Sequence, residues 1–296
     1  ATPGKVARAD GDAAKAIAGA AKVLEATFEF PYLAHAPMEP LDCVMRLTEG
    51  RCEAWYGAQS QTADQAAIAQ VTGLRPEQVT IDTLYAGGSF GRRANPQSDY
   101  VVECAEIVSR LAKMGQRGVP VKLVWTREDD MRAGYYRPMY LHTIKAGLDA
   151  GGAIVGWQHR IVGQSILDGT AFEKALVKDG VDATSVEGAA SLPYEIPALS
   201  VDLHSPYGAV PVQWWRSVGS THTAYSTETF VDELAAAAGQ DPVAMRRALL
   251  AKHPRHLAAL ELAAREAGWG TPLAPGKAGT KRGRGLAVHE SFGTVV

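Results

Sequence analysis

The chain has 296 residues, with 30 Lys plus Arg against 32 Asp plus Glu and a formal net charge of -2. Neither the total nor any local run supplies the basic stripe that neutralises nucleic-acid phosphates, and the same balance disfavours an anionic membrane surface. Hydrophobic residues at 46% and charged residues at 21% are enough to bury a core, which excludes disorder as the main state.

No apolar run reaches the roughly 18 residues needed to span a bilayer, so no transmembrane segment is expected. The opening ATPGKVARAD has neither a basic-then-apolar signal pattern nor an initiator Met, so Ala1 reads as a cut or processed end. Cys43, Cys52 and Cys104 are odd in number and lack CxxC spacing. That argues against a disulfide framework or a zinc site and for small buried residues.

In chain order, residues 12–26 (DAAKAIAGAAKVLEA) predict a helix, and TFEFPYL alternates like a strand. LDCVMRL and RCEAWYG predict a hairpin turning at Thr48, Glu49 and Gly50. Thr62 and Gln65 have capping-box spacing at the start of the next helix, which Gly73 ends. QVTIDTLY is a strand, followed by the glycine-rich segment 87–93 and a helix from Ser98 whose apolar face is Val101, Val102, Ala105, Val108 and Leu111. VPVKLVW is the next strand. YLHTIKAGL and IVGWQHRIV flank Asp149–Gly152, a strong hairpin signal.

Residues 205–222 are too rich in Pro, Gly and Trp for a regular element, and a helix is expected from about Ala224 to Ala238. Asp241 and Pro242 suit the N-cap and first turn of another helix, and HLAALELAAREAGW forms a last one ending at Gly268. The pattern predicts α+β architecture, mixed sheets with packed helices, over residues 1–270. Residues 271–296 then read as a linker and an apolar strand that stops without a partner, as at a cut end.

Two segments stand out chemically. GGSFGRR lies between a strand and a helix but matches neither GxxxxGK[ST] nor GxGxxG, so spacing alone gives a tight turn. Phe90 between glycines points instead to close approach of a flat ligand. Trp214 and Trp215 beside Arg216 fit a core plug with a surface cation equally as well as a clamp for an anion or polarised oxygen. The stretch TREDDMRAGYYRP reads as a solvated loop with ion pairs. The eight histidines show no ligand spacing, and Pro254 breaks the face that His253 and His256 would share.

HAPMEPLDC (35–43), Gln59–Gln61, GGSFGRR (87–93), VKLVWTREDDM (121–131), YYRP (135–138), PVQWWRSVGSTHTAYSTETFVDELA (211–235) and RGRGLAVHESFG (282–293) run through nearly the whole chain. In this order they resemble the molybdenum-binding large subunits of the xanthine oxidase and aldehyde oxidoreductase family, most of all its isoquinoline 1-oxidoreductase branch, at the beta chain of those enzymes. The resemblance implies a molybdopterin-binding domain, with residues 271–296 opening a second one. It also implies a molybdenum–molybdopterin cytosine dinucleotide cofactor, a small iron–sulfur subunit as partner, and hydroxylation of an N-heteroaromatic or aldehyde substrate with oxygen from water.

By the same resemblance Gly87, Gly88, Ser89, Phe90, Gly91 and Arg92 contact the cofactor together with Arg216 and Gln59, and Trp214 and Trp215 shape the substrate pocket. Arg92 and Arg93 stand where xanthine-oxidase relatives carry Lys-Glu, which speaks against purine oxidation. Ser217 replaces the cysteine of carbon monoxide dehydrogenases, which speaks against a copper-bridged site. The family's glutamine of the metal pocket aligns near Leu33, and its glutamate base falls past Val296, so this stretch alone is expected to be inactive. The competing expectations are a non-catalytic scaffold that keeps the fold and a nucleotide-binding protein using GGSFGRR as a phosphate loop.

Overall fold

The computed structural model describes residues 4–296, and Ala1, read above as a cut end, lies outside them. The chain divides into two compact units, each built from separated stretches. One comprises Tyr32–Pro138 and Gly208–Arg216; the other comprises the residues up to Pro31, Met139–Tyr207 and Ser217–Val296.

In the first of these, a four-stranded sheet has the order Val79–Thr83, Arg51–Tyr56, Asp42–Thr48, Val121–Val124. The first pair is parallel and the other two are antiparallel. Alternation puts Cys43, Met45 and Leu47 with Cys52, Ala54 and Tyr56 on the buried face, against Ile68 of helix Gln61–Thr72 and Tyr100, Val101, Cys104, Ala105 and Val108 of helix Asp99–Lys113. All three cysteines are free and buried, as expected. The predicted capping box at Thr62 does not form. Ser60 is the N-cap, and Gln65 instead donates to the Val79 carbonyl at 2.9 Å, tying the helix to the sheet. Gly73 closes the helix at φ 73°, as its sequence position predicts.

The stretch 126–138 is more ordered than a solvated loop. Thr126 and Asp129 form a reciprocal cap on helix Arg127–Arg132, and Tyr136–Arg137 pairs with Leu33–Ala34.

In the other unit, a five-stranded sheet has the order Lys5–Asp10, Leu199–His204, Ile154–Gly163, Tyr140–Leu148, Lys22–Phe30. Its core joins Ile144, Trp157, Ile161, Val201 and Leu203 to Phe230, Val231 and Leu234 of helix Ser220–Ala238. The helix predicted over 12–26 stops at Ala18, and Lys22–Phe30 is a strand paired antiparallel with Tyr140–Leu148. Cross-strand pairing thus overrides the local helix preference of its Ala- and Lys-rich start. Helix Ser220–Ala238 begins inside the segment read as irregular. Asp241 caps Pro242–Leu249 as expected, accepting from the amides of Val243 and Ala244. The terminal strand finds a partner after all, because Glu290–Ser291 pairs with Thr294–Val295 in a local hairpin.

The histidines scattered in sequence form a buried chain in this unit: His142 Nδ1 lies 2.8 Å from His159 Nε2, and His142 Nε2 lies 2.9 Å from His222 Nδ1. Burial pushes His159 down to about 3 and His142 well below its usual value, so both rings are neutral in the fold. An unfolded imidazole protonates near 6.5. Their stabilisation is therefore whole above that pH and is lost as pH falls toward 3. By pH 4.5 His159 alone should cost the fold about 3 kcal/mol relative to pH 7.5. Urea unfolding of His159→Gln should show a correspondingly smaller acid loss, and equal losses in the two proteins would refute this account.

Candidate functional site

After strand Val79–Thr83 the main chain turns through residues 86–93 before helix Asp99–Lys113. Gly88, Phe90 and Gly91 have φ of 77°, 54° and 97°. The left-handed region costs a residue with a Cβ about 1–2 kcal/mol, so Phe90 must be held there. The hold comes from residues 214–216. Arg216 N–H donates to the Phe90 carbonyl at 3.0 Å, and Trp215 lies parallel to the Phe90 ring, with centroids 5.9 Å apart and an 8° interplanar angle. Gly91 allows the approach, since a Cβ there would sit 3.1 Å from the Trp214 carbonyl oxygen.

Gln213, which sequence reading did not select, joins the two segments. It is 1% exposed; its amide donates to the carbonyls of Gly91 at 2.9 Å and Arg92 at 3.1 Å and accepts from Asn95 Nδ2 at 2.9 Å. The main-chain N–H of Gln213 donates to Tyr136, and that of Tyr136 donates to Pro211, which seats the 211–216 segment. An uncharged polar residue between Val212 and Trp214 was the available signal. Gln213→Leu would strand the Arg92 carbonyl and the Asn95 amide donor and leave the Gly91 carbonyl with the Ala94 N–H alone, so a loss of about 2–4 kcal/mol is expected in chemical unfolding. A loss below about 1 kcal/mol would contradict the assignment.

The two arginines of the turn face inward. Arg92, 1% exposed, bonds Asp99 at 3.2 and 2.5 Å between the faces of Trp125 and Tyr135, 5.7 and 5.5 Å from their centroids. Arg93 pairs with Asp42 at 3.0 Å and Glu39 at 3.2 Å over the ring of Tyr100. Arg92, expected to contact a cofactor, is committed to the protein through its guanidinium and also through its main chain, whose N–H donates to the Ser89 carbonyl at 3.0 Å and whose carbonyl accepts from Gln213. Glu39 also accepts from the Gly87 amide at 3.0 Å, so Gly87 serves the packing of the turn.

Several donors remain. Among the described residues, none accepts from the main-chain N–H groups of Ser89, Phe90 or Gly91, and Arg216 is exposed with no ion pair. Ser89 Oγ donates to Gln59 Oε1 at 2.5 Å and accepts from the Arg93 amide at 3.1 Å, so Gln59 is placed beside the turn. Trp214 and Trp215 are half-buried. Three successive amides with no acceptor among the described residues suit an anionic or oxygen-bearing group, as in other main-chain anion sites, and the main chain of the cationic Arg216 is bonded to the middle residue of the three. Among the described residues no group of three His, Cys, Asp or Glu is placed to hold a metal ion.

The α+β arrangement, mixed sheets with helices packed on them, is that of known oxidoreductases. Quinoline 2-oxidoreductase from Pseudomonas putida 86 matches 90% of this chain and 35% of its own with a TM-score of 0.71 and 18% identity. Aldehyde oxidoreductase from Desulfovibrio gigas matches 89% of this chain and 30% of its own with a TM-score of 0.60 and 20% identity. The profile of the molybdopterin cofactor-binding domain matches residues 1–250, and the chain belongs to that family.

The beta chain of isoquinoline 1-oxidoreductase from Brevundimonas diminuta is 29% identical over 236 residues, which is 79% of this chain and 29% of the relative. A nicotinate dehydrogenase subunit from Pseudomonas putida is 26% identical over 298 residues, 95% of this chain and 24% of the relative. The chain therefore spans less than a third of the length of these relatives. The resemblance drawn from its motifs holds at the level of the family and the fold.

Proposed function

We propose that the chain is part of the molybdopterin-binding catalytic subunit of an oxidoreductase that hydroxylates an N-heteroaromatic or aldehyde substrate with oxygen taken from water. The observation that carries the reading is the Ser89–Gly91 turn, whose three amides have no acceptor among the described residues, seated against Trp214–Arg216. The names of the relatives, among them isoquinoline and quinoline oxidoreductases and aldehyde oxidoreductases, support the substrate class.

In this reading the amides of Ser89, Phe90 and Gly91 and the guanidinium of Arg216 hold the cofactor, Gln59 orients Ser89, and Trp214 and Trp215 wall the substrate. The cofactor is the cytosine dinucleotide form of molybdopterin, and it supplies the two-electron oxidation when bound. Electrons leave through iron–sulfur clusters on a small partner subunit. Residues 271–296 lead into a second cofactor-binding domain, and the general base comes from the remainder of the large subunit.

The test is elemental analysis of the complete complex purified from its host. About one molybdenum per large subunit, with hydroxylation of quinoline- or aldehyde-type substrates, is the expected result. A complex without molybdenum would favour the scaffold reading. Thermal protection by ATP or NAD in its place would favour a phosphate loop.

A further inference from the structure

We propose that His35 is a positioning residue for this site: it donates from Nε2 to the Trp214 carbonyl and lies against Trp215, and so sets the aromatic wall beside the Phe90 turn. The consequence for substrate rests on the functional reading above; the geometry is independent of it.

His35 directly follows strand Leu33–Ala34 and is 3% exposed. Its Nε2 lies 2.9 Å from the Trp214 oxygen and its Nδ1 lies 3.3 Å from the Tyr135 oxygen. A neutral imidazole has one N–H for these two acceptors, and the shorter contact takes it. Burial, helped by the charge of Arg92 and opposed by the two carbonyls, brings His35 down to about 4, so the ring is neutral at pH 7.

The ring centroid lies 4.9 Å from that of Trp215 at 30°, and Trp215 in turn lies parallel to Phe90. The indole of Trp215 is thus in ring contact with both His35 and Phe90. The carbonyl that His35 holds is also the one that Gly91 approaches, and it belongs to the peptide unit that leads into Trp215. Fixing that peptide plane fixes the start of the indole side chain and, one residue on, the Arg216 amide that donates to Phe90. A flat substrate ring then meets a wall of set orientation, whereas a small aldehyde depends less on it.

Two variants of the complete large subunit in its complex separate the donor from the ring. His35→Gln keeps an amide N–H in reach of the Trp214 carbonyl; His35→Phe keeps a flat ring and loses the donor. Hydrogen exchange across residues 211–217 should be about tenfold faster in His35→Phe and close to wild type in His35→Gln, with strands Asp42–Thr48 and Arg51–Tyr56 unchanged. His35→Phe should also raise KM for quinoline several-fold with a smaller change in kcat and an unaltered molybdenum content.

Equal exchange in all three proteins would overturn the proposal. So would acceleration that His35→Gln does not reverse, or acceleration that spreads through the strands, because either marks a merely structural residue. A wild-type complex without molybdenum would defeat the functional reading while leaving the exchange comparison decisive for His35.

Discussion

On the proposed function, Arg216→Ala in the complete large subunit is expected to lower turnover about a hundredfold or more, or to yield a complex that purifies without molybdenum, with the fold intact. The other arginines near the turn, Arg92 and Arg93, are buried and paired with carboxylates, whereas Arg216 is exposed and has no ion pair among the described residues. Its main chain is nonetheless fixed on the Phe90 carbonyl. A cationic residue whose main chain is fixed on a turn with three amides that have no acceptor among the described residues is suited to meet negative charge there, and removing a donor to developing charge typically costs two to three orders of magnitude, roughly, in rate.

Arg216→Lys should retain part of the effect, since it keeps the charge and loses the planar fork. The measurements are molybdenum content and steady-state rate. Wild-type values for both in Arg216→Ala would remove this residue from the site.

Arg246→Met should destabilise the protein by about 3–5 kcal/mol, because it leaves a carboxylate buried without its cation. The Arg246 side chain is 0% exposed and bonds Glu228 Oε2 at 2.9 Å, Asp232 Oδ1 at 2.5 Å and the Glu228 carbonyl at 2.9 Å. Glu228 also accepts from the Tyr194 hydroxyl at 2.8 Å and the Val288 amide at 2.9 Å, so the pair ties the C-terminal segment to helix Ser220–Ala238.

Burial already raises the Glu228 carboxyl above its ordinary value despite the arginine, and losing the arginine raises it further. A carboxyl raised in the folded state is the neutral form's advantage. The deficit of the variant should therefore shrink as pH falls through that raised value and reappear as pH rises. Urea unfolding at pH 7 and pH 5 tests both parts. A loss under about 1 kcal/mol, or one that grows in acid, would contradict the argument.

What could be read from the residues depended on range. The Asp149–Gly152 hairpin, the Asp241 cap and the Gly73 stop are local signals and needed no distant partner. Residues 22–26 misled because their helix preference is local, while their strand is imposed by pairing with Tyr140–Leu148. Thr62 misled because Gln65 had a better acceptor on the neighbouring strand.

At the site the same division holds. GGSFGRR and WWR announced themselves by composition, but nothing in either marks that Arg92 turns inward to Asp99 while the Arg216 side chain is exposed. Gln213 and His35 act on carbonyls of Gly91, Arg92 and Trp214, and a carbonyl has no letter in the sequence. Their roles appear only when the segments are seen together.

The discontinuous make-up of the site-bearing unit governs the order in which the chain can be assembled. Of this unit a ribosome delivers residues 32–138 first, and their sheet and the two longer helices, Gln61–Thr72 and Asp99–Lys113, can collapse at once. Gly208–Arg216 emerges only after the whole of 139–207, so until then the Phe90 turn lacks the carbonyl and amide partners that hold its left-handed backbone. Loop closure over that span is slow compared with local collapse. The turn is thus the last feature of the unit to mature, and any ligand that needs its left-handed backbone waits for residues 208–216 to emerge.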